Sequence, residues 1–192
     1  MALPRHSETE RGLALQKIVE DCKDGEYFKW PNPSDEDYRV FGNIIWLFTG
    51  VDFVLRMTAE VMDNGGMLEP PYKGKVRSLN IKRTTDAIMS SQIWSKKNRI
   101  ALERINERRR LRNLICHFIA KRFVQEDAFI FMTKSASDFE QVYGVKRQSD
   151  QMPYGIVDAA QVKNAILEIQ GLLRWAETLP RDLSDPVSFS GE

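Results

Sequence analysis

From Lys96 to Phe123 the chain runs without a glycine or a proline. That length suits a helix spanning a bundle, because nothing in it weakens the backbone ladder. Ser95 stands in front as a cap. The spacing predicts one long helix over 96–123. On a wheel of about 100° per residue, Leu111, Leu114, Ile115, Phe118 and Ile119 form an apolar arc. Asn106, Arg110, Asn113 and His117 gather on the other side, with Arg112 on the flank between.

The remaining pattern is also mainly helical. Ser7 with Glu10 opens a short helix ended at Asp24-Gly25, and Trp30-Pro31-Asn32-Pro33 is a rigid connector. Ser34 with Asp37 is a second capping pair. After it, Phe41, Ile44, Ile45, Phe48, Val51, Val54, Leu55 and Met57 recur at the three- and four-residue spacing of a buried helix face to about Met62. Asp63-Asn64-Gly65-Gly66 stops that helix with residues that accept positive φ, and Pro70-Pro71 holds the next loop extended. A helix follows over 73–91. Ala128 to Thr133, aromatic and β-branched, reads as a short strand. Ser135 to Tyr143 reads as a helical turn closed by Gly144, and Lys146 to Gly155 as loop leading to a partner strand. A last amphipathic helix covers 157–179 with Val162, Ile166, Ile169, Leu172, Leu173 and Trp175 inward, and Pro180 ends it. The expected architecture is all-α: one helical-bundle domain over 1–180, with a short β insertion between the long basic helix and the last long helix. A disordered tail follows over 181–192.

Charge is distributed unevenly. Lys73 to Arg122 holds fifteen of the 28 Lys and Arg residues but only Asp86, Glu103 and Glu107 among the 27 acids. A net of +1 therefore conceals a strongly basic stretch and an acidic remainder. Such a split makes a local positive field suited to phosphate. The plainer alternative is a set of charged helix faces paired with acidic neighbours, for instance around Asp35-Glu36-Asp37. Cys22 and Cys116 cannot make a disulfide framework or a zinc site. No secretory leader is read in Met1–Glu10. The longest apolar run, Ile44 to Leu55, is broken by Thr49, Gly50 and Asp52, so no membrane span is expected. The expected compartment is the cytoplasm.

Only His6 and His117 exist, so histidine chemistry in a folded site falls to His117. Arg108, Arg109, Arg110 and Arg112 crowd one turn and a half. Their mutual repulsion costs a few tenths of a kcal/mol per pair, which an anion would offset. No Walker loop, dinucleotide glycine motif or paired histidine competes. Cys116, beside arginines but without a second histidine as its base, reads as a small packing residue rather than a nucleophile.

The segment Glu107 to Phe118 resembles the signature of the HEPN superfamily, an Arg and a polar residue, often Asn, followed after a short variable stretch by His near the end of a bundle helix. Arg112, Asn113 and His117 match it residue by residue, and the order of elements is similar. Cys116 departs from the small alanine common before the histidine. The resemblance implies a metal-independent endoribonuclease that needs no cofactor, in which Arg112, Asn113 and His117 are catalytic and Arg109 and Arg110 bind RNA phosphate. It also implies a homodimer with a composite site and, for a toxin or antiphage effector, an antitoxin or regulatory partner. Two other functions stay open: a non-catalytic module binding RNA, nucleotide or protein through the same basic face, and an assembly subunit whose arginines meet a partner's acids.

Overall fold

The computed structural model describes residues 9–144 and 153–184. It is mainly helical, with one small antiparallel sheet of three strands. In chain order come α1 (Glu10–Glu20), a 3-10 helix (Lys23–Lys29), α2 (Asp35–Asn64), a 3-10 turn (Val76–Ser78), α3 (Ile81–Ser90) and α4 (Lys96–His117). Then follow β1 (Ile119–Arg122), β2 (Ala128–Met132), α5 (Ala136–Tyr143), β3 (Tyr154–Asp158), α6 (Ala159–Ala176) and α7 (Leu179–Ser184). The contacts group into two compact units, residues 1–45 with 107–167, and residues 46–106 with 168–192.

The first unit is built on the sheet, ordered β1-β2-β3. β1 pairs with β2 from Ile119↔Met132 to Arg122↔Phe129, and β2 pairs with β3 from Ala128↔Asp158 to Met132↔Tyr154. All five residues of β2 are buried, since this central strand is covered on both faces. Its alternation decides the partners. Ala128, Ile130 and Met132 join Leu15 and Val19 of α1, Phe123 and Ile156 in one apolar cluster. Phe129 and Phe131 turn to the other face, where their rings meet Phe41 of α2 at 5.2 and 5.7 Å between centroids. Arg11 fastens α1 to the sheet through Glu126 at 2.8 Å and Asp158 at 3.1 Å.

The second unit has an apolar interior drawn from Phe48, Leu55, Met62, Leu68, Ile88, Leu102 and Ile105, with Ile169 of α6. Its polar groups are satisfied locally. The Trp94 indole donates to the Ile88 carbonyl at 2.6 Å, and Arg99 donates to the Met89 and Ser91 carbonyls at 3.2 and 2.9 Å. Thr58 and Thr85, both buried, return their hydroxyls to carbonyls one turn back.

Several boundaries follow their sequence signals. Ser34 and Asp37 form the reciprocal cap of α2, with Asp37 Oδ2 accepting from Ser34 N at 2.8 Å and Ser34 Oγ accepting from Asp37 N at 3.2 Å. Gly66, at φ 68°, ends that helix, and Met67 N donates back to Met62 O at 2.8 Å. Ser135 caps α5 and Gly144 closes it in the left-handed region.

Other expectations are corrected. The long basic helix ends at His117 rather than Phe123, because Ile119–Arg122 pairs with β2 instead of continuing the helix. Ile119, expected inward, is 64% exposed for the same reason. The last long helix starts at Ala159 rather than Val157, since Tyr154–Asp158, including Gly155 from the expected loop, forms β3. Pro180 does not mark an end; it sits in the first turn of α7, where its missing N–H costs nothing, so 181–184 are helical rather than tail. The expected helix over 73–91 is shortened to α3, capped by Asn80, after a 3-10 turn. Pro70-Pro71 lies in a turn, with Tyr72 N donating to Glu69 O at 3.0 Å. Thr9 caps α1, accepting from Gly12 N at 2.9 Å; Ser7, most of the 146–155 loop and residues 185–192 lie outside the described residues. Met57, expected in the core, is exposed. Finally, α2 is long and apolar enough to cross a bilayer by length and composition alone, with a window of mean hydropathy 1.4 that is 33% buried.

Candidate active site

The two helical periodicities of α4 place the motif. Leu111 and Leu114 are buried, and Phe118, the residue after the helix, is buried with them. That anchors the inward arc and leaves its complement outside. Arg110, Cys116 and His117 are exposed, while Arg112 and Asn113 are half-buried. His117 is the last residue of α4, and Phe118 N still donates to Leu114 O at 3.1 Å across the helix end. Arg112 Nη1 donates to Asn113 Oδ1 at 3.2 Å. The motif's first two residues therefore touch, and the imidazole stands one turn beyond them. Among the described residues no hydrogen bond or ion pair is made by the His117 ring.

An apolar groove of about 430 Å³ lies beside this helix end. Ile115 and Phe118 bracket His117 in sequence and line it, together with Ile119 of β1 and Tyr38, Phe41 and Gly42 of α2. Neither Arg112 nor His117 belongs to its lining.

Arg109 departs from expectation. It is 9% exposed, so its guanidinium is not offered to a phosphate on the surface. The sequence carried a signal for this: Leu102, Ile105 and Arg109 follow one another at spacings of three and four, and the first two are fully buried. Asn106, expected beside Arg110, uses its amide to contact the Met89 sulfur at 3.3 Å. Among the described residues neither Arg110 nor Arg112 forms an ion pair with a carboxylate.

A second cluster answers in part to the plainer alternative raised above, in which acids around Asp35-Glu36-Asp37 pair with the basic stretch. Arg122, the last residue of β1, donates to Asp37 at 2.6 Å and to Asp127, and its guanidinium lies 5.2 Å from the centre of the Phe129 ring. These groups line a cavity of about 490 Å³ with Ser34, Glu126 and Lys163. Burial pushes the Asp37 carboxyl up, but hydrogen bonds from the Ser34 N–H, the Ser34 hydroxyl and Arg122 outweigh it and hold it below its ordinary value. With its own carboxylates already bound, Arg122 acts as a clamp between β1 and the start of α2. Among the described residues no three His, Cys, Asp or Glu side chains gather as a metal site.

The chain matches no protein-family model, no curated protein and no solved structure.

Proposed function

We propose that this chain is an HEPN-type, metal-independent endoribonuclease, acting in the cytoplasm as a toxin or antiphage effector. The observation that carries it is the arrangement at the end of α4: an exposed imidazole at His117, one turn beyond a contacting Arg112–Asn113 pair. RNA supplies its own nucleophile, the 2′-hydroxyl, which attacks the adjacent phosphorus while the 5′-oxygen leaves. The protein then has only to move two protons and stabilise charge on the phosphorane. Imidazole suits the proton transfers because it changes charge between roughly pH 5 and 8. Arg112 braces the phosphate through its forked donors, with Asn113 holding the guanidinium from one side. Arg110 adds affinity for the flanking phosphate. Arg109, being buried, is left out of the RNA-binding set.

One imidazole per chain serves one proton transfer best, so the active species is a homodimer in which the second His117 supplies the other. An antitoxin or regulatory protein would act by covering this helix end. The test is cleavage of a fluorescent single-stranded RNA by purified protein. His117→Ala loses at least about a hundredfold in rate, the usual worth of an acid–base group, with its helical circular dichroism intact. A wild-type protein that cuts no RNA between pH 5 and 9 refutes the proposal.

One observation favours a second function, a non-catalytic module that binds RNA, nucleotide or protein through the same face. A catalytic base is usually oriented by a third group, and His117 has none among the described residues. RNA binding without cleavage, unchanged in His117→Ala, selects this alternative.

A further inference from the structure

β1 is an outer strand, since the order β1-β2-β3 leaves one of its edges without a neighbouring strand. Which backbone groups face that edge follows from the hairpin. Phe123 N donates to Ala128 O at 3.0 Å, and the same register continues to Ile119↔Met132. Bonded pairs alternate along an antiparallel ladder, so Lys121 and Ile119 turn their amides to β2 while Arg122 and Ala120 turn theirs outward. Arg122 bears this out, because its N–H is met from outside by Pro31 O at 2.8 Å. The connector cannot continue as a strand, since Pro31 and Pro33 have no N–H to give. Among the described residues nothing meets the N–H or the C=O of Ala120.

Edges are ordinarily guarded by prolines, charged side chains or a covering element. Pro31 and Lys121 guard one half of this one, and the other half is open. Ala120 lines the groove of about 430 Å³, with Phe41 and Gly42 of α2. A Cβ built on Gly42 meets nothing within 4 Å, and Ile119 is 64% exposed. A donor and an acceptor on one residue, facing one way beside an apolar groove, match a polypeptide backbone in extended form. The pleat then fixes what its side chains meet. A residue opposite Ala120 shares the face on which Phe131 meets Phe41, so its side chain enters the groove. Its two neighbours fall on the other face, one beside Ile119 and one beside Lys121. Lys121 donates to Asn32 Oδ1 at 2.8 Å and has no carboxylate partner among the described residues. A second copy of β1 fits poorly, because its alanine would leave the groove unfilled and its lysine would lie against Ile119.

We propose that the edge at Ala120 accepts an extended segment of a partner protein as a fourth strand, antiparallel to β1. One partner residue makes both bonds, donating its N–H to Ala120 O and accepting from Ala120 N. That residue is large and aliphatic and fills the groove. The residue before it is acidic and lies opposite Lys121; the residue after it is apolar and covers Ile119. The surface uses neither Arg112 nor His117, so it stands whether or not the protein cleaves RNA.

Fluorescence anisotropy tests it, with the whole chain and a short threonine-rich peptide carrying Glu-Leu-Val at its centre. The wild type binds with a Kd on the order of 100 µM, as two hydrogen bonds and one deeply seated side chain permit. Methylating the leucine nitrogen of the peptide removes the donor to Ala120 O and weakens binding at least about tenfold. Ala120→Pro removes the outward N–H, leaves the β2 ladder intact and weakens binding by a similar factor. The methylated peptide reads the same edge on unaltered protein, so the result does not hang on that variant folding. Gly42→Leu fills the groove and also weakens binding about tenfold, at no cost to the helix. Lys121→Glu reverses the charge preference, binding a Lys-Leu-Val peptide about fivefold tighter than Glu-Leu-Val. No binding to the wild type at about 1 mM overturns the proposal. So does a methylated peptide that binds like its parent, a Gly42→Leu variant that binds like the wild type, or a Lys121→Glu variant without the reversed preference. A wild type that self-associates and becomes monomeric in Ala120→Pro overturns it as well, giving the edge to a second copy.

Discussion

Residues of one type, side by side, have been given opposite tasks. Arg109 and Arg110 are neighbours in sequence, yet one is buried and the other exposed. If RNA binds this face, its salt dependence should separate them. For single strands each phosphate contact contributes about 0.7 to the slope of log affinity against log salt. Arg110→Ala should lower the slope by about that amount, measured by fluorescence anisotropy from 50 to 200 mM salt. Arg109→Ala should leave the slope alone and reduce stability instead. Another residue carries a purely steric demand. A Cβ at Gly155 would lie 1.5 Å from the Tyr143 hydroxyl oxygen and 2.8 Å from its ring, so the ring occupies the space a side chain would need. Burial of that phenol raises its pKa, in keeping with close packing on β3. Gly155→Ala should cost about 2 kcal/mol in urea unfolding, as overpacking does, and far less in a Tyr143→Ala background.

At the level of elements, local rules located the starts and stops that are made locally. Ser34 with Asp37, Ser135, Gly66 and Gly144 act as their chemistry dictates, because a cap is decided within four residues. The failures lie where distant chain decides. Phe118 to Phe123 has no breaker, and only pairing with β2 and the Arg122 clamp make it a strand. Val157 carries an apolar side chain that fits a helix stripe or a sheet equally well, and β2 settles it. The outward position of Arg110 and His117 was legible because the apolar arc of α4, with Leu111, Leu114 and Phe118 buried, lies on the other side. For the Asp37–Arg122–Asp127 cluster the charges suggested a pairing but not the partner, since residues 85 apart meet there. That cluster makes a testable contribution. Its native carboxyl lies below the ordinary value, so the stabilisation is complete above about pH 4, the unfolded-state value, and fades as pH falls through the native one. Asp37→Ala should be about 2 kcal/mol less stable at pH 7, combining a lost cap with a broken ion pair, and the difference should narrow below pH 4. Acid titration of both proteins followed by circular dichroism measures it.

For the molecule as a whole, the site and the scaffold are joined with little slack. Only Phe118 separates the final residue of α4 from the first residue of β1, and that side chain is buried. β1 is in turn held by the β2 ladder, by Pro31 O accepting from Arg122 N at 2.8 Å, and by the two carboxylates of the clamp. The imidazole is thus mounted directly on the hairpin, with no hinge of its own. Tilting the hairpin would swing the ring by the same angle, so anything that grips the turn at Val124 and Gln125 holds a lever on His117 without touching it.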